Sequence, residues 1–96
     1  MTKQTLIDRL VELLTEVQER LQQPPTTITE DCVPLRDLPK FDSLIALEIS
    51  VELETEFGCL SEDNLFFDDR TKEPLRVRDI VERLSARLGS VEPSNV

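Results

Sequence analysis

Phe41-Asp42-Ser43-Leu44-Ile45-Ala46-Leu47-Glu48-Ile49-Ser50-Val51-Glu52-Leu53-Glu54-Thr55-Glu56-Phe57-Gly58 is the stretch on which the reading of this 96-residue chain turns. At 100° per residue, Ile49, Leu53 and Phe57 share one arc, while Leu44, Leu47 and Val51 lie on a second. Glu48, Glu52 and Glu56 form an unbroken i, i+4 row opposite the gap between those arcs. Asp42 stands where a short carboxylate can accept the unpaired N–H groups of a first helical turn. Gly58 stands where only glycine takes the left-handed closing conformation cheaply. The spacing predicts a helix over residues 43–57. Like charges in such a row cost a few tenths of a kcal/mol per neighbouring pair, and either solvent or a cationic partner relieves that cost. Ile45 falls inside the acidic sector, where an aliphatic side chain has no core to enter, so it is either a lone exposed isoleucine or an apolar anchor for a partner.

Toward the N-terminus, Leu6, Leu10, Leu13, Leu14, Val17 and Leu21 recur at helical spacing, with Ile7 and Val11 widening the stripe. This predicts a scaffold helix over residues 3–21, stopped by Pro24-Pro25. Residues 22–41 hold four prolines (Pro24, Pro25, Pro34, Pro39) and no sustained period, which reads as a loop with room for one short turn. Ile28, Val33, Leu35 and Leu38 give that loop the means to pin itself on the core. Toward the C-terminus, Ser61-Glu62-Asp63-Asn64 reads as the cap and first turn of a short helix through Phe66-Phe67. Residues 68–74 read as an exposed polar loop. Val77, Ile80, Val81, Leu84 and Leu88 predict a last helix, ended by Gly89. The expected fold is all-α: a small four-helix bundle of three longer helices and one short one, with a long first loop. Residues 1–89 form one domain and residues 90–96 a disordered tail.

Twenty acidic and 11 basic residues give a formal charge of −9. Residues 41–69 hold nine carboxylates and no Lys or Arg, so the rest of the chain is balanced at 11 against 11. A chain this size buries only about 60–65% of its unfolded surface, so the core is thin. The acidic balance disfavours nucleic acid, whose phosphates require Lys and Arg, and favours basic protein surfaces. No apolar run approaches the roughly 20 residues of a membrane span, and Met1-Thr2-Lys3-Gln4-Thr5 leads into an amphipathic pattern. A cytoplasmic protein with no stable membrane insertion and no signal peptide is expected. Cys32 and Cys59 belong to no ligand cluster and read as reduced thiols. The chain has no His, Tyr or Trp. The usual general base for a serine or cysteine nucleophile is therefore missing, as is the commonest zinc ligand. Neither catalysis nor a metal site is expected.

Ser43 is the residue with chemical interest. At the first turn of a helix, unpaired N–H groups and the positive end of the dipole favour an attached anion. A phosphodiester on that hydroxyl would be stabilised without a basic side chain. As a plain cap, the same serine would carry nothing.

The run 41–49, continuing through Leu53-Glu54-Thr55-Glu56-Phe57-Gly58, resembles the core of acyl carrier proteins. The Asp-Ser-Leu triplet, Glu48, Leu53-Glu54 and Glu56-Phe57 match without a gap, and Arg76-Val77-Arg78-Asp79-Ile80-Val81 resembles the start of that family's fourth helix. The resemblance covers residues 5–88. It implies a bundle of acyl-carrier type in which Ser43, set between Asp42 and Leu44, receives 4′-phosphopantetheine from coenzyme A by a phosphopantetheinyl transferase. The arm holds acyl intermediates as thioesters for fatty acid, lipid or polyketide-type biosynthesis. Partner enzymes with basic docking patches would meet Glu48, Glu52, Glu54 and Glu56, and a monomer is expected. Leu47, Val51, Phe57, Leu60 and Phe66 would line the acyl chain or simply pack the core.

Three features depart from the family. Ile45 replaces a commonly acidic or polar residue, Phe41 a usually small one, and the 68–74 excursion is extra. These point to a freestanding, specialised carrier with Phe41 and Ile45 as its partner-selective rim. Two alternatives remain open. One is an aminoacyl or peptidyl carrier of nonribosomal synthesis. The other is an unmodified acidic protein-binding module, which would need the charges but not Ser43.

Overall fold

The computed structural model describes residues 2–24, 27–58, 64–68 and 70–88. The expectations placed on Cys59, Leu60, Ser61 to Asp63 and the 90–96 tail lie outside these. Four helices follow in order: α1 (Lys3–Arg20), α2 (Pro34–Asp37), α3 (Ser43–Phe57) and α4 (Val77–Leu88). Helices α1, α3 and α4 enclose one core, so the expectation of a small, mostly helical bundle holds.

Helix α1 starts where Thr2 Oγ1 accepts the Thr5 N–H at 3.3 Å. It buries Leu6, Leu10, Leu13, Leu14 and Val17, the expected stripe. It stops at Arg20, three residues short of the proline pair. Gln22 takes a left-handed φ of 58°, and the Gln23 N–H returns to the Gln18 carbonyl at 3.0 Å, the closing pattern usually made by glycine.

Residues 27–41 of the long first loop are held by their own apolar side chains and by α4. Val33, Leu38 and Phe41 are buried, with Ile28, Cys32 and Leu35 packed beside them. Pro34 opens α2, its missing N–H costing nothing at a first helical position. Asp37 Oδ2 accepts the Val33 N–H at 2.8 Å. The carbonyls of Cys32 and Glu30 accept the Val77 and Arg78 N–H groups at 2.9 and 3.0 Å, so the loop caps α4. Asp31 adds an ion pair to Arg78 at 2.7 Å.

The short helix is α2 in the first loop; the described part of the expected short helix before residue 67 is instead a turn. Its backbone is claimed from the side. The Leu65 N–H goes to Ser50 Oγ at 3.0 Å and the Phe66 N–H to Asn64 Oδ1 at 3.0 Å, while Phe67 pairs with Pro74 in an isolated antiparallel bridge. Arg83 Nη1 donates to the carbonyls of Asn64 and Leu65, each at 3.2 Å, and to that of Phe67. With their N–H groups so engaged, Leu65 and Phe66 join no i→i−4 ladder. The polar excursion is therefore a tight hairpin. The Asp68 N–H reaches the Glu73 carbonyl, and the Lys72 N–H the Asp68 carbonyl, both at 2.9 Å.

Candidate functional site

Helix α3 begins as the sequence predicts. Asp42 is extended at φ −119°, and its Oδ1 accepts the Ile45 N–H at 2.9 Å. The Asp42 carbonyl accepts the Ala46 N–H at 3.0 Å. The N–H groups of Ser43 and Leu44 have no hydrogen-bond partner among the described residues, as the geometry of a helix start requires. Ser43 is exposed, and its hydroxyl makes no hydrogen bond among the described residues. Gly58 closes the helix at φ 77°, with its N–H directed at the Glu54 and Thr55 carbonyls.

A network that the periodicity did not reveal fixes the backbone at Ser43. Asn64 Nδ2 donates to the Ser43 carbonyl at 3.3 Å. Asn64 Oδ1 lies 3.3 Å from Ser50 Oγ, and Ser50, fully buried, also back-bonds to the Ala46 carbonyl at 2.9 Å. The signal available was a serine amid the aliphatics of a helix interior, where its hydroxyl must find a local acceptor.

Several expected site residues stand elsewhere. Phe41 is 5% exposed, and its ring packs on Phe66 with centroids 5.5 Å apart and planes at 44°. It belongs to the core rather than to a rim. The loop turns at Lys40, φ 61°, and burying a phenyl ring there outweighs leaving it in water. Ile45 is half-buried and packs on the core, because α1 crosses the sector in which the sequence offered it no neighbour. Glu54 is 1% exposed and pairs with Arg87 of α4 at 3.2 Å, so it is no docking residue. Glu56 accepts Arg9 Nε through both oxygens, at 2.8 and 3.1 Å. That contact holds the Arg9 guanidinium charged above its ordinary range, despite some opposition from burial. Of the four glutamates assigned to docking, Glu48 and Glu52 remain exposed without an ion pair among the described residues.

The acyl-lining set divides in the same way. Phe66 is fully buried and Phe57 packs against the core. Leu47 and Val51, however, are 39% and 49% exposed, in line with Leu44 at 64%. The second arc of α3 thus faces outward as an apolar strip beginning beside Ser43, edged by Glu48 and Glu52. The described elements pack on the Ala46, Ile49 and Leu53 side, and nothing among them covers this one.

Helix α3 runs antiparallel to α1, since Arg9 meets Glu56 while Arg20 shares a cleft with Ile45 and Glu48. That cleft measures about 180 Å³ and is lined by Val17, Arg20, Leu21, Ile45 and Glu48. A wider groove of about 580 Å³ adjoins it at Arg20 and continues past Glu16 and Glu52. Elsewhere, Cys32 is a free, half-buried thiol whose burial pushes its pKa up, the wrong direction for a nucleophile. Among the described residues there is no cluster of three or more His, Cys, Asp or Glu able to hold a metal ion. No helix among them is long and apolar enough to cross a membrane.

Comparisons with protein-family models, curated proteins and solved structures gave no match for this chain.

Proposed function

We propose that the chain is a carrier protein of the acyl-carrier kind, with Ser43 as the attachment point for 4′-phosphopantetheine. The observation that carries this reading is the exposed Ser43 hydroxyl, free of hydrogen bonds among the described residues, at the first position of a capped helix. Those residues fit a phosphodiester. The oxygen to be modified is accessible, the N–H groups of Ser43 and Leu44 are left over by the Asp42 cap, and the dipole end favours an anion. When bound, the arm supplies a thiol on a flexible tether that holds an acyl group as a thioester. Ser43 itself needs no activation, because a phosphopantetheinyl transferase taking the arm from coenzyme A brings the chemistry. The protein's tasks are to hold the attachment backbone still, through Asp42 and Asn64, and to present it to partners.

Partners in this reading dock on the outward strip of Leu44, Leu47 and Val51, with Glu48 and Glu52 meeting a basic rim. Apolar contact gives the attraction, and the two carboxylates give orientation and encounter rate. The acidic reach is smaller than the sequence implied, since Glu54 and Glu56 are held by Arg87 and Arg9. In this reading the chain acts as a cytoplasmic monomer with no catalytic group of its own. It serves biosynthesis of the fatty acid, lipid or polyketide type, or carries an aminoacyl group on the same arm.

The same strip supports a second reading, an unmodified acidic module that binds a partner through Leu44, Leu47 and Val51. Intact mass after incubation with coenzyme A and a broad-specificity phosphopantetheinyl transferase separates the two. A carrier gains one phosphopantetheine, and Ser43→Ala gains none. No gain in the parent, with the host's own transferase included, overturns the carrier reading in favour of the binding module.

A further inference from the structure

Ile45 was conspicuous in the sequence as an aliphatic in an acidic sector, and the structure gives it a place on the wall of the α1–α3 cleft. The cleft floor is apolar: Val17 from α1, Leu21 just beyond its end, and Ile45 from α3. Its polar groups are two and of opposite kind. Arg20 offers only hydrogen-bond donors and Glu48 only acceptors. Arg20 forms no ion pair among the described residues, although Glu16, Glu19, Glu48 and Glu52 line the same cleft and groove. An apolar floor with one donor and one acceptor on its rim matches a ligand that has branched methyl groups beside an amide. The amide carbonyl takes a bond from Arg20, its N–H gives one to Glu48, and the methyls displace water from the floor.

We infer that this cleft seats the proximal part of the pantetheine arm attached at Ser43, laying it against α1. The inference rests on the carrier reading and goes beyond it by naming where the arm lies. Chemistry, size and position agree. The segment of the arm next to its phosphate carries a dimethyl carbon, then a hydroxyl-bearing carbon, then an amide. A cleft of about 180 Å³ has room for the dimethyl carbon with its two methyl groups and leaves most of the arm outside. Ile45 is two residues from Ser43, about 3 Å along the helix axis and about 200° around it. The arm therefore passes over the N-terminal end of α3, where Asp42 and the first-turn N–H groups lie, before it meets the cleft. The cleft is of the chain's own making, since a polar side chain at position 45 would remove part of its apolar wall.

The test is methyl and backbone NMR on the unloaded protein, the protein loaded at Ser43, and loaded Arg20→Ala. Arg20 is exposed, so its truncation leaves the core intact. Loading is expected to shift the methyl resonances of Val17, Leu21 and Ile45 and to give nuclear Overhauser contacts from the arm's geminal methyls to them. In Arg20→Ala the shifts on α1 shrink while those around Ser43 persist. Loading that moves only Asp42, Ser43, Leu44 and Leu47 overturns the cleft as the seat and leaves the carrier reading standing. Failure of Ser43 to take the arm at all, read by mass, overturns both.

Discussion

In α4 the aliphatic residues of the periodic stripe described here, Val77, Ile80, Val81 and Leu84, are buried. In α3, within less than three turns of its capped start, Leu44, Leu47 and Val51 stand in solvent, while Glu54 further along lies beneath the surface. The two helices occupy one bundle and differ in what their outer faces are for. An outward aliphatic contributes little to folding and up to about 1.5–3 kcal/mol if a partner buries it fully. The inward carboxylate of Glu54 gains from Arg87 only what offsets its desolvation, so its position adds little net stability beyond what packing would give. Helix α4 is built to hold the domain together. Helix α3 combines holding, through Ala46, Ile49 and Leu53, with a face kept open.

That contrast can be broken most directly by truncation. Leu84→Ala should destabilise the fold by about 2–5 kcal/mol, whereas Val51→Ala should change stability by less than about 0.5 kcal/mol. Urea unfolding of both variants reads this, and equal losses would mean that the outer face of α3 is part of the core after all. The next effect in size concerns the inward carboxylate. Glu54→Ala leaves the Arg87 charge without this partner and should cost about 3 kcal/mol, the low end for a broken buried pair because Arg87 retains 22% exposure. Glu54→Leu combined with Arg87→Met should recover most of that loss. If the double variant is as unstable as the single one, the pair does more than satisfy itself.

The smallest effect lies in the hairpin that leads into α4. Asp68 Oδ1 accepts the Arg70 and Thr71 N–H groups at 2.8 and 2.9 Å. Those bonds, Thr71's foremost, hold its carboxyl below the usual carboxylate range. A depressed folded-state pKa means that the contribution is fully present above the unfolded value, near 4, and is lost as pH falls through the folded value. The amide shifts of Arg70 and Thr71 should therefore titrate with a midpoint below about 4 while the core resonances stay fixed. A midpoint at or above that value would remove the bonds from the account.

What the sequence made legible was local. The Asp42 cap and the Gly58 stop depend on residues within one turn, and both are where the pattern puts them. The stripes of α1 and α4 need only a period. Illegible features depend on a neighbour far along the chain. Glu54 is indistinguishable from Glu52 until Arg87, 33 residues later, comes beside it. Ile45 lacked a core until α1 crossed it, and Phe41 could be called a rim residue because Phe66 had no assigned position. The turn at Asn64 defeated a reasonable capping pattern because Ser50 and Arg83 engage its backbone from two different helices. At the candidate site, Asp42, Ser43 and Leu44 were readable as a helix start. The division of α3 into held and open carboxylates was not.

The capping of α4 by the first loop carries a consequence for how the chain reaches this structure. The Val77 and Arg78 N–H groups are satisfied by the carbonyls of Cys32 and Glu30, which lie 45 and 48 positions earlier. The last helix thus has no self-sufficient beginning. Its first turn is completed by a segment that must already be folded back over the core, so the closing step brings together distant parts of the chain and carries a large loop-closure entropy. A cut anywhere in residues 27–33 would release the start of the final helix, and with it Arg83 and Arg87, before disturbing the helix that bears Ser43.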